Sequence, residues 1–388
     1  MLTKSRKLLV LIGIIVAIGV VLRLVAASVG YNYDFESYKI VADIVLAGGN
    51  VYSETARYNY GPVWFIILGT IAGIANLTVD PELAFRVGVV LLLTFSDLVI
   101  SFILYKRYGL FAGIFFFLNP ISIIITGFHS QFDNLAIAVG MVAVLIYSQA
   151  SDSNNRRLMV AALVLLGVSI MVKHVLVFFP IWLFIREKTF VRKGASLAIP
   201  LLVFFAGFVP FLSAFESIRE NVFLYDSARN APILRSVMPP IISSVLDPKA
   251  FMAIGLILSG LLTRKKALFE QLLWYLLLVV IFSMSILHHY LVIPMAFIAV
   301  YPNIFWIIYI LISGFIFTLD KLGMGIEQMI AIAPQQFLFI YSTNRIYDIP
   351  MLFLFLGLCT HLIFSTQGKL VQEYQARAFR SFRQKIGI

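Results

Sequence analysis

Uninterrupted apolar runs recur from one end of this chain to the other. Many are long enough for the roughly 20 residues that a helix needs to cross a bilayer. A backbone in hydrocarbon must satisfy its own hydrogen bonds, so only helices and closed barrels cross. The runs lack the period-2 alternation of barrel strands, which leaves helices. Composition agrees: of 388 residues, 61% are hydrophobic and 13% charged, with a mean hydropathy of +0.96. Soluble domains carry about twice that charged share. The sequence therefore predicts an all-α polytopic membrane protein, folded as a single integral membrane domain over 1–388.

The formal net charge is +11. The basic residues fall in short clusters between apolar runs, at Lys4-Ser5-Arg6-Lys7, Lys106-Arg107, Arg156-Arg157, Arg186 to Lys193, Arg264-Lys265-Lys266 and along 369–385. Short basic loops mark the cytoplasmic side of a membrane protein, so the partners this charge implies are membrane lipids and not nucleic acid. Placing every cluster inside gives about twelve spans with both termini cytoplasmic. This layout treats 61–76 as a helix lying at the outer surface or dipping into the membrane, because it is short and no Lys or Arg follows it before Arg86. It treats Leu110–Gly127 and Ala195–Phe215 as single spans, and 216–240 and 320–349 as long outer polar regions. The tail 367–388 reads as a basic amphipathic helix on the inner leaflet. The lone Cys359 has no intrachain partner for a disulfide.

The most polar stretch of the first hundred residues is Tyr31 to Trp64, YNYDFESYKIVADIVLAGGNVYSETARYNYGPVW. YDFESYKIVADIVLAGG predicts an amphipathic helix with acids in its first turn, closing at Gly48-Gly49. Asp34 and Glu36 are its candidates for chemistry, and helix capping is their plainer role. In the twelve-span layout further polar groups share their side. These are Arg57, Tyr60, His129, Gln131, Asp133, Lys173, His174, Arg229, Arg235, His288 and His289. Each has an ordinary explanation alone: loop closure, snorkelling, or, for Asp133, a cap on the helix that follows. Together, ionisable groups at one membrane face point to a site for a charged, lipid-linked substrate. Asp97, in the middle of an apolar run, is expected to pair inside the bundle. No metal-ligand spacing stands out, so no cofactor is expected, though a divalent ion at Asp34 and Glu36 is chemically open.

The motif YDFESY, followed by AGGNVYSETARYNYGPVWFIILG, resembles the first outer loop of the GT-C superfamily of polyprenyl-phosphate-sugar-dependent glycosyltransferases. It is similar both to the endoplasmic-reticulum glucosyltransferases of lipid-linked oligosaccharide assembly and to prokaryotic mannosyltransferase-like relatives. GFHSQFDNLAI resembles the second outer motif of that family, and HHYLVIPMAF the late motif whose histidine approaches the donor phosphate. The resemblance implies a GT-C-type bundle with outer juxtamembrane helices in the first loop. Its GT-C module would cover 8–215 with a catalytic loop at 30–84, and a variable helical module would cover 216–366. It further implies hexose transfer, glucose or mannose, from a polyprenyl-phosphate donor to a lipid-linked or glycan acceptor on the extracytoplasmic face. Asp34 matches the general base, with Glu36 beside it. The membrane would be the inner membrane of a prokaryote or the endoplasmic reticulum of a eukaryote. The competing class is a transporter or glycolipid flippase, which the same number of spans would serve. Against it stand the absence of a clear internal repeat and the gathering of ionisable groups at one surface.

Overall fold

The computed structural model describes residues 4–225, 248–283, 286–319, 324–326 and 346–365. Arg229, Arg235, the tail 367–388 and most of 320–349 lie outside the described residues. Within them every regular element is a helix.

The first half forms α1 (Lys4–Val29), α2 (Tyr33–Leu46), α3 (Val51–Glu54), α4 (Pro62–Ala75), α5 (Pro81–Tyr108), α6 (Leu110–Phe117), α7 (Pro120–Gly127), α8 (Asp133–Asp152) and α9 (Arg156–Val172). After a 3-10 turn at His174–Leu176 come α10 (Phe179–Arg186) and α11 (Phe190–Ala206). A second 3-10 turn at Val209–Ala214 then leads into α12 (Phe215–Ile218). The second half holds α13 (Pro248–Thr263), α14 (Leu268–Ile281), a 3-10 turn at His288–Val292, α15 (Met295–Val300), α16 (Ile304–Leu319) and α17 (Asp348–Ser365).

Among the described residues α1, α5 and α8 are each long and apolar enough to cross a membrane, and five crossings result if each of two bent pairs is one span. Seven shorter apolar helices accompany them. Leu9, Val10, Ile14, Ile18, Val21 and Val25 of α1 are exposed. An unbroken apolar face of this kind is compatible with a lipid environment.

Two expected single spans are broken. Leu110–Gly127 bends by 46° between α6 and α7. Pro120 has no N–H to continue α6, and the Asn119 side chain caps the new helix by accepting from the Ile121 N–H at 2.9 Å. Ala195–Phe215 bends by 57° after α11, where the chain tightens into the Val209–Ala214 turn containing Pro210. The polar loop expected from 216 onward begins instead with helical turns, α12 and a π-turn at Arg219–Phe223.

The amphipathic helix expected after Tyr31 is α2. It ends in a Schellman motif, with Gly48 N–H on Val45 O, Gly49 N–H on Ile44 O, and Gly48 at φ +74°. Its cap is not an acid: Asn32 caps it, its side chain accepting from the Asp34 N–H. Phe35, Tyr38, Val41 and Ala42 are the buried side of α2, which lies along α4. The approach is close because Gly69 of α4 lies against Val45, where a Cβ would sit 2.3 Å from Val45 Cγ1.

The loop from α3 to α4 closes on the end of α9 in the same way. A Cβ on Gly61 would lie 2.2 Å from the Met171 carbonyl oxygen, a backbone atom with no room to rotate aside. Tyr58 also donates its hydroxyl to the Gly61 carbonyl at 2.6 Å. Gly61→Ala is expected to cost about 1–3 kcal/mol through overpacking. Thermal melting of the detergent-purified protein would measure this, and an unchanged midpoint would mean that the loop moves freely against α9.

Candidate functional site

Three chain segments meet at the end of the bundle where α1 gives way to α2: the start of α2, the α7–α8 loop, and the 3-10 turn at His288–Val292. Each arrives there for a local reason. Gly30, at φ +149°, and the Asn32 cap turn the chain from α1 into α2. Arg86 of α5, buried, donates to the carbonyls of Gly30, Gly127 and Phe128 and to the Ser130 hydroxyl. One guanidinium thus ties the α1–α2 corner to the α7–α8 loop. Ser130 is held at φ +52°, a left-handed conformation unusual outside glycine.

The centre of the cluster is Asp34. Its Oδ2 accepts from Gln131 Nε2 and from Asn32 Nδ2, the latter at 3.3 Å. Among the described residues its Oδ1 accepts no hydrogen bond. Gln131 is fully buried, and its carbonyl end accepts from Lys173 Nζ at 3.2 Å. Lys173 in turn pairs with buried Asp133 at 2.7 Å, so its charge is already met. The ammonium lies over the Phe132 ring, 4.7 Å from the centroid, and near the Tyr60 ring at 5.3 Å. Trp64 stacks on Phe132, their ring centroids 4.4 Å apart. Aromatic walls lower the local dielectric and strengthen the charge pair and the hydrogen bonds that radiate from it.

Asp133 therefore does not cap α8, whose first N–H groups have no side-chain cap. It serves as the partner of Lys173, because an unpaired ammonium at this depth costs more than an uncapped helix.

The other side of Asp34 is histidine. Asn32 Nδ2 lies 3.0 Å from His129 Nδ1 and 3.3 Å from His288 Nε2. Asn32 Oδ1 is committed to the Asp34 N–H at 3.2 Å, so Nδ2 is the donor, and its two hydrogens are shared among Asp34 Oδ2 and the two facing ring nitrogens. The His129 and His288 rings stack, centroids 4.3 Å apart and 29° between planes. His289 is buried and meets His288 edge-on at 5.2 Å. Tyr60 is partly buried close to Asp34, and burial followed by the Asp34 charge holds its phenol well above 10, protonated.

Not every expected site residue reaches this cluster. Glu36 points about 200° around α2 from Asp34 and lies 3.7 Å from Lys39, which also bonds Glu82. Arg57 lies over the Tyr33 ring at 3.9 Å and donates to Ser37 Oγ and the Tyr33 carbonyl, bracing the start of α2. His174 packs edge-on against Phe204 of α11. Two members went unread in the sequence: Asn32, flagged by its type directly before the acids, and Arg86, a lone cation near the start of an apolar run.

His129 carries a pH signature. Burial, then His288, then Arg86 hold its pKa well below the ordinary 6.5. The unfolded chain takes up a proton near 6.5 while the folded chain resists it. Stability is therefore full above that pH and declines as pH falls below it. His129→Gln is expected to give a shallower acid limb in melting temperature against pH, and an identical limb would assign the proton uptake to other groups.

These features define an all-helical protein, compatible with a membrane setting, whose buried polar centre joins one half-free carboxylate to histidines and an amide-relayed ion pair. No family model, curated protein or solved structure matches the chain.

Proposed function

We propose that this protein is a membrane glycosyltransferase of the GT-C type. It transfers a hexose, glucose or mannose, from a polyprenyl-phosphate donor to a lipid-linked or glycan acceptor. In this reading about twelve spans complete the bundle. Both termini are cytoplasmic, and the Asp34 cluster faces outward from a prokaryotic inner membrane or into the lumen of the endoplasmic reticulum. The observation that carries the reading is Asp34 itself, with Oδ2 fixed by two amide donors, Oδ1 accepting none among the described residues, and His288 and His289 beside it.

That arrangement suits a general base. An acceptor hydroxyl gives its proton to Asp34 as its oxygen bonds to the anomeric carbon. The bond from that carbon to the phosphate oxygen breaks on the opposite face, through an oxocarbenium-like state, so the configuration inverts. The polyprenyl phosphate leaves with the bonding electrons. Phosphate is a good leaving group, so donors that stabilise its charge suffice and no general acid is needed. His288 and His289 are the candidates for that role among the described residues. Lys173 is already paired with Asp133 and acts through Gln131, holding the carboxylate in place. Arg229 and Arg235 belong to the same proposal as phosphate clamps from the 216–240 segment.

The test is a transfer assay on the purified protein with a panel of labelled polyprenyl-phosphate hexoses and total lipid extract as acceptor. Labelled glycolipid formed by the wild type and absent with Asp34→Asn supports the reading. Folded protein that transfers no sugar from any donor but moves a solute across liposomes would replace it with transport.

A further inference from the structure

Asp34, His288 and His289 each present one ligand atom, and these three atoms all lie within 4.8 Å of one another. We propose that they form a binding site for one divalent transition-metal ion of the zinc class. A tetrahedral zinc centre with ligand bonds of about 2.0–2.2 Å sets its donors about 3.3–3.6 Å apart. Two of them share one 3-10 turn, and the third stands at the start of α2.

A second observation is independent of that spacing. His289 is 4% exposed, and its Nδ1 is buried with no hydrogen-bond partner. Buried polar atoms are nearly always satisfied, and a bound ion beside Asp34 and His288 would satisfy this one. Asp34 adds a matching vacancy of bonding. Its Oδ2 is held by Asn32 and Gln131, and its Oδ1 accepts no hydrogen bond among the described residues. Amide donors on one carboxylate oxygen are what orient such a ligand from behind.

The donor set decides the class of ion. Two imidazoles and one carboxylate suit zinc, cobalt or nickel, whereas magnesium and calcium prefer all-oxygen surroundings. Three protein ligands leave a tetrahedral ion one open position, the pattern of zinc sites that act on an exogenous oxygen. What a bound ion does for sugar transfer rests on the function proposed above, but its binding does not.

The test is accordingly made without any sugar donor. The full chain, with any affinity tag removed, is stripped with chelator and titrated with Co2+. The visible absorption of the ion and elemental analysis of metal per chain are both recorded. One Co2+ per chain, displaced by Zn2+, is expected. His289→Gln, His288→Gln and Asp34→Asn are each expected to weaken binding by at least about tenfold. His361→Ala, whose ring packs among Trp274 and Phe297 away from the cluster, is expected to bind as the wild type does. Melting temperature provides the folding control: Zn2+ should raise it for the wild type and not for the three ligand variants, by linkage of binding to folding. No stoichiometric Co2+ on the folded wild type would overturn the proposal. So would binding that survives the His288→Gln/His289→Gln pair. Neither result touches the transfer assay, and a chain that binds metal yet transfers no sugar would keep this site while losing the function.

Discussion

Under the function proposed above, Asp34→Asn is expected to lower sugar transfer by about 10²–10⁴-fold, the range that a general base contributes. The fold should survive the change. Asparagine matches aspartate in shape, and its amide oxygen can take the place of Oδ2 in accepting from Gln131 and Asn32. The Asp34 N–H, which the Asn32 side chain accepts from, is untouched. Melting temperature should therefore stay close to wild type while turnover collapses. Gln131→Ala separates positioning from chemistry. It removes the bridge between Asp34 and Lys173 and should reduce turnover less than Asp34→Asn does. An Asp34→Asn protein that turns over at near the wild-type rate would remove the base from the mechanism.

The largest effect on stability is expected at the pair Arg23 and Asp97. Both are fully buried, 2.7 Å apart. Arg23 also donates to the carbonyls of Gly19 and Phe117 and to the Ser122 hydroxyl. Asp97 further accepts from Ser122, Thr126 and Asn134. This network joins α1, α5, α7 and α8, and most of the apolar length of α1 is otherwise unburied. Arg23→Met leaves the buried Asp97 without its cation, at a cost of about 3–5 kcal/mol. Removing both charges in Arg23→Met/Asp97→Leu should recover much of that loss, because a buried pair replaced by apolar groups is often near neutral. Thermal melts of the two single variants and the double variant give the coupling. Limited proteolysis should find α1 released in Arg23→Met, and an α1 as protected as in the wild type would place its anchor elsewhere.

The helical elements of the first half were readable because each is announced locally. Asn, Asp and Pro at helix starts, Gly48-Gly49 at a helix end, and basic residues closing α5 mark the boundaries without reference to the rest of the chain. The breaks in the two long apolar runs were announced as well, by Asn119-Pro120 and Pro210. Hydropathy summed over a whole run conceals them, because a proline break leaves the mean unchanged. Asp97 was expected to pair inside the bundle, but its partner Arg23, 74 positions away, carries no local mark of the pairing.

For the cluster, residue type pointed to the segments that meet and not to the contacts made within them. Acids, histidines and a lysine in an apolar sequence were worth suspecting, since burying any of them needs a partner. Which partner depends on side chains brought together from distant segments. Lys173 looked like a cation for phosphate, and Asp133 neutralises it. Glu36 looked like a second catalytic acid, and helical periodicity turns it away from Asp34. Asn32, unread in the sequence, caps α2, and its amide also joins Asp34 to two histidines 97 and 256 residues away.

Hydropathy, proline and glycine positions, and cap residues act within a few residues of themselves, so the sequence alone carried the all-helical class, the α2 helix and the segments that hold the polar groups. Hydrogen bonds and ion pairs act across about 3 Å of space whatever the separation along the chain. For that reason the sharing of Oδ2 by Gln131 and Asn32, the stacking of His129 on His288 and the burial of Arg23 against Asp97 emerged only when the helices were packed.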